Sequence, residues 1–388
     1  MEGELPLSFR VPGDGEGEAM TMIRKIALGT LVILAALVLV CAWYISHDAG
    51  PAPVAPIPQQ SARMKAVVFR QYGGLEVLHI EEVEKPSPKA DELLIRVHAA
   101  SLNPFDWHRM RGLPYPVRLI MTGIGRPRNT RLGVDFAGTV EAVGPQVKNF
   151  RVGDEVFGAA DGAVAEYVTS TEVGIALKPA NSTFEQAAAV PIAGLTALQG
   201  LRDKGQLKAG QKVLINGASG GVGTFAVQIA KSMGAEVTGV CSTRNLELVR
   251  RIGADHAVDY TREDVTRGNE RFDLVLDMVG SYPLLAYRRV LNPHGTLVVV
   301  GSPSTDRWIG AMSGWIKVTF IRPFVGQDYG TLMGDVNRTQ DLDALAELIK
   351  SGQVTPIVDR TYALADTAEA MRYLEQGHAR GKVIIRIE

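Results

Sequence analysis

Only two cysteines occur in the 388 residues, Cys41 and Cys241. A cysteine-rich zinc site is thereby excluded. No disulfide is expected between one cysteine inside an apolar run and another at the end of an expected strand. Excess charge is missing too: 41 basic residues stand against 42 acidic ones, so the chain lacks the electrostatic footprint of a nucleic-acid binder. The seven histidines show no ligand spacing, and neighbouring acids such as Glu81 and Glu82 read as solvated faces. Glycine is plentiful, at 41 residues, and 46% of the chain is apolar. That suits an α/β protein with many tight strand–helix turns. The length suits two folded units with an appendage.

The appendage begins with an uncharged run, IALGTLVILAALVLVCAWYI, from Ile26 to Ile45. As a helix it spans about 30 Å, the thickness of a hydrocarbon core. Arg24 and Lys25 flank its start, and Trp43 and Tyr44 sit where an interfacial aromatic belt belongs. No small-x-small pair precedes a clean mature start, and Leu39 and Val40 lack the small residue a lipoprotein signal needs before Cys41. A single transmembrane helix over 23–45 is therefore expected, uncleaved, behind a disordered tail at 1–22. A proline- and alanine-rich linker over 46–62 follows, with the character of a semi-rigid spacer. The positive-inside rule sends the large domain away from the cytoplasm, whereas its expected cofactor is cytosolic. The side of the membrane stays open.

The next signal lies at 212–242. KVLIN (212–216) is a short apolar run of the kind that forms a buried parallel strand. GASGGVG (217–223) follows, then a stretch in which Val222, Ala226, Ile229 and Met233 recur at helical spacing, then EVTGVCS (236–242) as a second strand. Strand, glycine turn, helix and strand form the context that makes a glycine fingerprint a dinucleotide site. Gly217, Ala218, Ser219, Gly220, Gly221, Val222 and Gly223 are the expected phosphate cradle. Within it Gly220 lets backbone approach a pyrophosphate and Gly223 allows close helix packing. An NAD site carries an acid at the end of the second strand; here Ser242, Thr243 and Arg244 stand there, suited to a 2′-phosphate, and the expected cofactor is NADPH. Further strands are expected at 256–260, 272–279, 295–301 and 317–321, giving a doubly wound parallel sheet. Tyr260, Val279 and Gly301 fall at its ligand-binding edge.

Residues 64–182 read as short strands between glycine turns, a compact β-rich domain of barrel type. The C-terminal stretch returns with two helices and a terminal strand fit to rejoin it. Together MKAVVF, SLNPFDW (101–107), LGVDFAGTVEAVG (132–144), VGDEVFG (152–158), AAAVPIAGLTALQGL (187–201), GASGGVG and ARGKVIIRI resemble the medium-chain dehydrogenase/reductase superfamily, in its zinc-free quinone oxidoreductase branch. The resemblance covers 64–388. It implies a GroES-like catalytic domain at 63–185 and 326–388 around a Rossmann NADP-binding domain at 186–325, with the cofactor between them and Thr196 among its contacts. It implies hydride transfer from NADPH to a quinone or other activated enone. By the same resemblance, Asn103 stands where zinc-dependent relatives carry a ligand cysteine, and Gly133-Val134-Asp135 replaces their Gly-His-Glu, so no metal is expected. Asn103, Asp106 and Tyr115 are the implied catalytic residues, with Tyr115 placed to hydrogen-bond an oxyanion. Asn103-Pro104 also reads as a simple turn and Asp106 as a local cap.

Two further features remain. Six arginines and no acid lie between Trp107 and Val134, and Trp308 and Trp315 lie in a second apolar run at 306–320. Both runs read either as bilayer-facing flanks of the cleft or as a pocket wall or homodimer contact. A 2-enoyl thioester reductase, or a membrane-tethered NADPH sensor or scaffold without turnover, are the alternative functions.

Overall fold

The computed structural model describes residues 15–54, 56–302 and 306–387. The chain divides into two units at His47. Among the described residues the first contains one helix, α1 (Gly15–Ser46), of which Met20–Ser46 has the length and composition to cross a membrane. It begins eight residues before the expected span, so residues 15–22 are helical rather than a loose tail; the rest of that tail lies outside the described residues.

Among the described residues the sheets lie in the second unit. β1 (Arg63–Phe69) and β2 (Leu78–Glu84) form an antiparallel pair. β3 (Glu92–Leu102), β4 (Asp135–Val143), β5 (Glu155–Ala159), β6 (Tyr167–Thr171) and β7 (Ile175–Leu177) build a second sheet, with α2 (Pro104–Arg111) between β3 and β4. After α3 (Phe184–Ala188) and α4 (Pro191–Gln199) come β8 (Lys212–Asn216), α5 (Gly221–Ser232), β9 (Glu236–Cys241), α6 (Leu246–Arg251), β10 (His256–Asp259), β11 (Phe272–Asp277), β12 (Leu291–Val299), α7 (Ser313–Ile321) and β13 (Asp328–Thr331). Then follow α8 (Thr339–Lys350), β14 (Val358–Ala363), α9 (Thr367–Glu375) and β15 (Lys382–Arg386).

β8 to β13 make one parallel sheet in the order β10-β9-β8-β11-β12-β13. Successive residues of each strand point to opposite faces. Val213, Ile215, Leu274 and Leu276 pack with α4, α5 and α8, whereas Leu214, Val275, Leu297 and Val299 pack with Tyr287 and Val318 on the other side. Both faces are covered, which is why these strands are nearly continuous apolar runs. The terminal strand rejoins the first lobe as expected: β15 pairs antiparallel with β3, Val383 opposite Leu102.

Two expectations need correction. Residues 317–321 are not a strand but the end of α7, and the sixth strand is β13, beyond 325. An apolar β-branched run this short has no periodicity to separate strand from helix. Nor are residues 48–52 merely part of the semi-rigid spacer expected over 46–62: Asp48 pairs with Arg118 at 2.8 Å, Ala49 N–H donates to Gly125 O at 2.7 Å, and Ala52 N–H to Arg70 O at 2.6 Å.

Candidate active site

The glycine turn is built by compression on one side and openness on the other. Gly217 has φ of +86°, a left-handed conformation that favours glycine. Its N–H and that of Ala218 both donate to Val240 O, tying the turn to β9. A Cβ on Gly223 would lie 2.1 Å from Gly217 O, so helix and turn can approach this closely only without one. A Cβ on Gly220 would meet nothing nearer than 3.4 Å. No side chain caps α5 at Gly220, which leaves the first-turn N–H groups, including those of Gly221 and Val222, as donors at the positive end of the helix dipole. Such a terminus fits a pyrophosphate.

Around this turn the carboxyl ends of the strands collect the other expected cofactor residues. Asn245 Nδ2 donates to Ser219 Oγ at 3.0 Å and to Ser242 Oγ at 3.2 Å, bridging the turn to the end of β9. Thr243 donates to Asp259 at 2.5 Å, and the exposed Arg244 spends one N–H on His378 O at 3.0 Å. Asp259 ends β10, not β9, and the Thr243 and Thr261 hydroxyls hold its carboxyl below the usual range. No carboxylate therefore occupies positions 242–245, and Arg244 faces solvent with donors to spare. Tyr260 N–H donates to Cys241 O, keeping that residue beside Ser242. Val279 packs over the turn, 2.7 Å from where a Gly217 Cβ would be, and Gly301 has room for no side chain, since its Cβ would meet Met278 O at 2.0 Å. Thr196 is buried on α4 against Gly334.

Beneath the turn lies a buried polar cluster. Asn103, at the N-terminus of α2, is 3% exposed. Its Nδ2 donates to Asp135 Oδ2 at 2.9 Å, and its Oδ1 accepts from Lys382 Nζ at 2.5 Å. Lys382 also donates to Leu102 O at 3.2 Å and lies 3.5 Å from Asp135. Ser101 Oγ and Ile192 N–H complete the shell of Asp135. The Lys382 stem runs under Gly221, whose Cβ would sit 3.1 Å from Lys382 Cδ. Burial pushes the Asp135 carboxyl up and the Lys382 amine down, while Lys382 and the hydrogen bonds to Asp135 pull the carboxyl back. Asp106 accepts the Asn103 N–H at 2.7 Å through one oxygen; the other has no partner. Burial pushes this carboxyl up to about 7, with the nearby Asp135 adding to the rise.

The structure thus brings Asn103 and Asp106 together and leaves Tyr115 outside their cluster. Tyr115 donates its N–H to Arg307 O at 2.8 Å and sets its ring edge-on to Trp308, 5.1 Å between centroids. The buried Arg118 guanidinium lies over it at 4.8 Å and over Tyr72 at 4.1 Å. The Tyr115 hydroxyl has no hydrogen-bond partner among the described residues. The Asn103 side chain, by contrast, donates to Asp135 and accepts from Lys382. Lys382 and Asn245 were not singled out from sequence. Lys382 sits in the ARGKVIIRI motif, but nothing local ties it to a carboxylate 247 positions earlier.

The donor set speaks against a tightly held transition metal in this cluster, which offers amide, carboxylate and ammonium groups but neither thiolate nor imidazole. One histidine does join acids elsewhere: the ligand atoms of Glu236, His256 and Glu270 lie within 4.8 Å of one another. Sequence spacing gave no sign of it. These residues lie at the amino-terminal end of the sheet, opposite the crevice, and Lys212 already bridges the two acids at 3.1 and 2.8 Å.

Residues 89–200 match the family model described as alcohol dehydrogenase GroES-like domain, and residues 252–385 the one described as zinc-binding dehydrogenase. The NADPH-dependent alkenal/one oxidoreductase, chloroplastic, of Arabidopsis thaliana is 35% identical over 346 residues, covering 85% of this chain and 81% of that protein. The mitochondrial NAD(P)H oxidoreductase RTN4IP1 of Mus musculus is 32% identical, covering 89% and 96%. Among solved structures, the quinone oxidoreductase from Coxiella burnetii superposes with a TM-score of 0.74 at 30% identity, covering 84% of this chain and all of that one.

Proposed function

Since the chain belongs to the zinc-free, quinone oxidoreductase-like branch of the medium-chain dehydrogenase/reductase superfamily, we propose that it reduces an activated enone or quinone with NADPH. The observation that carries the reading is the Asn103–Asp135–Lys382 cluster under the glycine turn: where a zinc-dependent relative would polarise an oxygen with metal, this site has an immobile hydrogen-bonded network. A conjugated or quinoid carbonyl is already electrophilic, so orientation against the nicotinamide suffices. The bound dinucleotide supplies the hydride. The chain's own residues do the rest. The α5 terminus and glycine turn seat the pyrophosphate, and Arg244 with Ser242 and Thr243 selects the 2′-phosphate. The Lys382 network holds α2 against the crevice, and the free Tyr115 hydroxyl donates to the oxygen on which charge develops.

We further propose that α1 is retained as a single membrane span and that the enzyme works as a homodimer. The likeness to chloroplastic and mitochondrial proteins sets a cleaved targeting segment as the rival reading of α1.

NADPH oxidation by the purified full chain with a panel of enones, quinones and 2-enoyl thioesters, alongside metal analysis, tests the function. Turnover of enones or quinones without zinc, and a fall in kcat of about 10- to 100-fold in Tyr115→Phe, is expected. Activity that requires stoichiometric zinc, or that is confined to thioesters, overturns it.

A further inference from the structure

The chain leaves α1 at Ser46, and two residues later Asp48 is held by Arg118. Two extended residues span at most about 7 Å. The attachment is firm. Arg118 is 2% exposed, donates Nε to Gly112 O at 2.9 Å and is sandwiched between the rings of Tyr72 and Tyr115. Tyr72 OH in turn donates to Gly123 O at 2.6 Å, and Ala49 N–H reaches Gly125 O. Asp48, two residues past the end of α1 in sequence, is therefore fixed to the loop at 112–128.

That loop carries an unusual surface. Leu119, Ile120, Met121 and Ile124 are 45%, 71%, 40% and 37% exposed, although they follow a buried arginine. Arg126 and Arg128 are exposed on the same loop and form no ion pair among the described residues. Three other basic side chains near it are already engaged: Arg109 with Asp161, Arg111 with Glu375, Arg118 with Asp48. No acid occurs from 108 to 133. Four apolar side chains flanked by two exposed arginines match the acyl–headgroup boundary of an anionic bilayer rather than water.

We infer that the 118–128 loop is a membrane-docking surface that seats the catalytic unit on an anionic bilayer. Leu119, Ile120, Met121 and Ile124 enter the acyl boundary, and Arg126 and Arg128 meet anionic headgroups. The inference rests on α1 being retained.

The test uses the full chain in nanodiscs of phosphatidylcholine and phosphatidylserine, with a bimane label on Ile120→Cys or, as control, on Val152→Cys, which is 61% exposed on a distant turn. Lipids bearing a shallow acyl-chain doxyl quencher are expected to dim the label at 120 at least about twofold more than that at 152, given the roughly 5–10 Å depth of interfacial side chains. Equal quenching at both sites overturns the docking surface. So does a label at 120 that is shielded from water yet unquenched, which would assign the patch to a second copy or another protein. Carbonate extraction of the full chain from its native membranes tests the premise separately: release there sinks the anchor, whereas a retained chain with no preferential quenching sinks the docking surface alone.

Discussion

Replacing Lys382 by methionine removes the only cation from a buried shell and keeps the stem that packs under Gly221. The ammonium lost had three partners, Leu102 O, Asn103 Oδ1 and the Asp135 carboxylate. Asp135, 0% exposed, would keep Ser101, Asn103 and Ile192 as donors but lose its counter-charge. Breaking a buried pair in this way costs about 3–5 kcal/mol, most of it the uncompensated charge left behind. For a unit of this size about 1 kcal/mol moves the melting midpoint by roughly 2 °C, so Lys382→Met should melt roughly 6–10 °C below the parent. Tryptophan fluorescence of the full chain during heating reads this directly. Adding Asp135→Asn removes the stranded charge and should recover at least half the loss, because the two sites share one network. A single variant within about 2 °C of the parent, or a double variant less stable than the single, would refute the assignment of Lys382 and Asp135 as mutually dependent charges.

Asp106 sets a pH dependence of stability. Its carboxyl is raised from 3.8 to about 7 in the folded chain, so the folded state binds the proton more tightly. The stability this confers is complete at low pH and is lost as pH climbs from about 4 to about 7, at most about 4 kcal/mol. Asp106→Asn should flatten the melting-temperature profile across that window, and an unaltered slope would show that Asp106 titrates normally. Arg244→Ser should raise the KM for NADPH about tenfold or more and leave that for NADH nearly unmoved, since only the 2′-phosphate pairs with the guanidinium; parallel changes would place the 2′-phosphate elsewhere. Gly223→Ala puts a methyl 2.1 Å from Gly217 O. It should abolish NADPH binding measured by fluorescence titration, and near-native affinity would mean that the turn does not hold the phosphates.

The Rossmann lobe was legible because its signals are local. A strand, a glycine turn and an amphipathic helix lie within 21 residues, 212–232, and each rule reads neighbours only. The return of β15 was legible too, since a terminal strand with no partner nearby must find one in the first lobe. Illegible was whatever depends on distance along the chain. Asp48 and Arg118 are 70 positions apart, and a proline-rich stretch between helix and strand reads as a spacer until that pair is seen. Asn103 was read toward the cofactor, whereas its amide is spent on Asp135 and Lys382. At 317–321 the composition favoured a strand, yet Val318 alone is buried while Phe320 is 71% exposed, as a partly covered helix allows.

Pairing β15 with β3 makes the first lobe wait for a strand made much later. Leu102 and Lys382 are 280 residues apart. At about 5–20 residues per second a nascent chain waits roughly 15–55 s between making one and making the other. Throughout that interval the Ala99–Leu102 edge lies open to foreign strands, and Asp135 has no ammonium to face. The β3 edge is thus made early yet protected late, and its dependence on chaperones should last until β15 emerges from the ribosome.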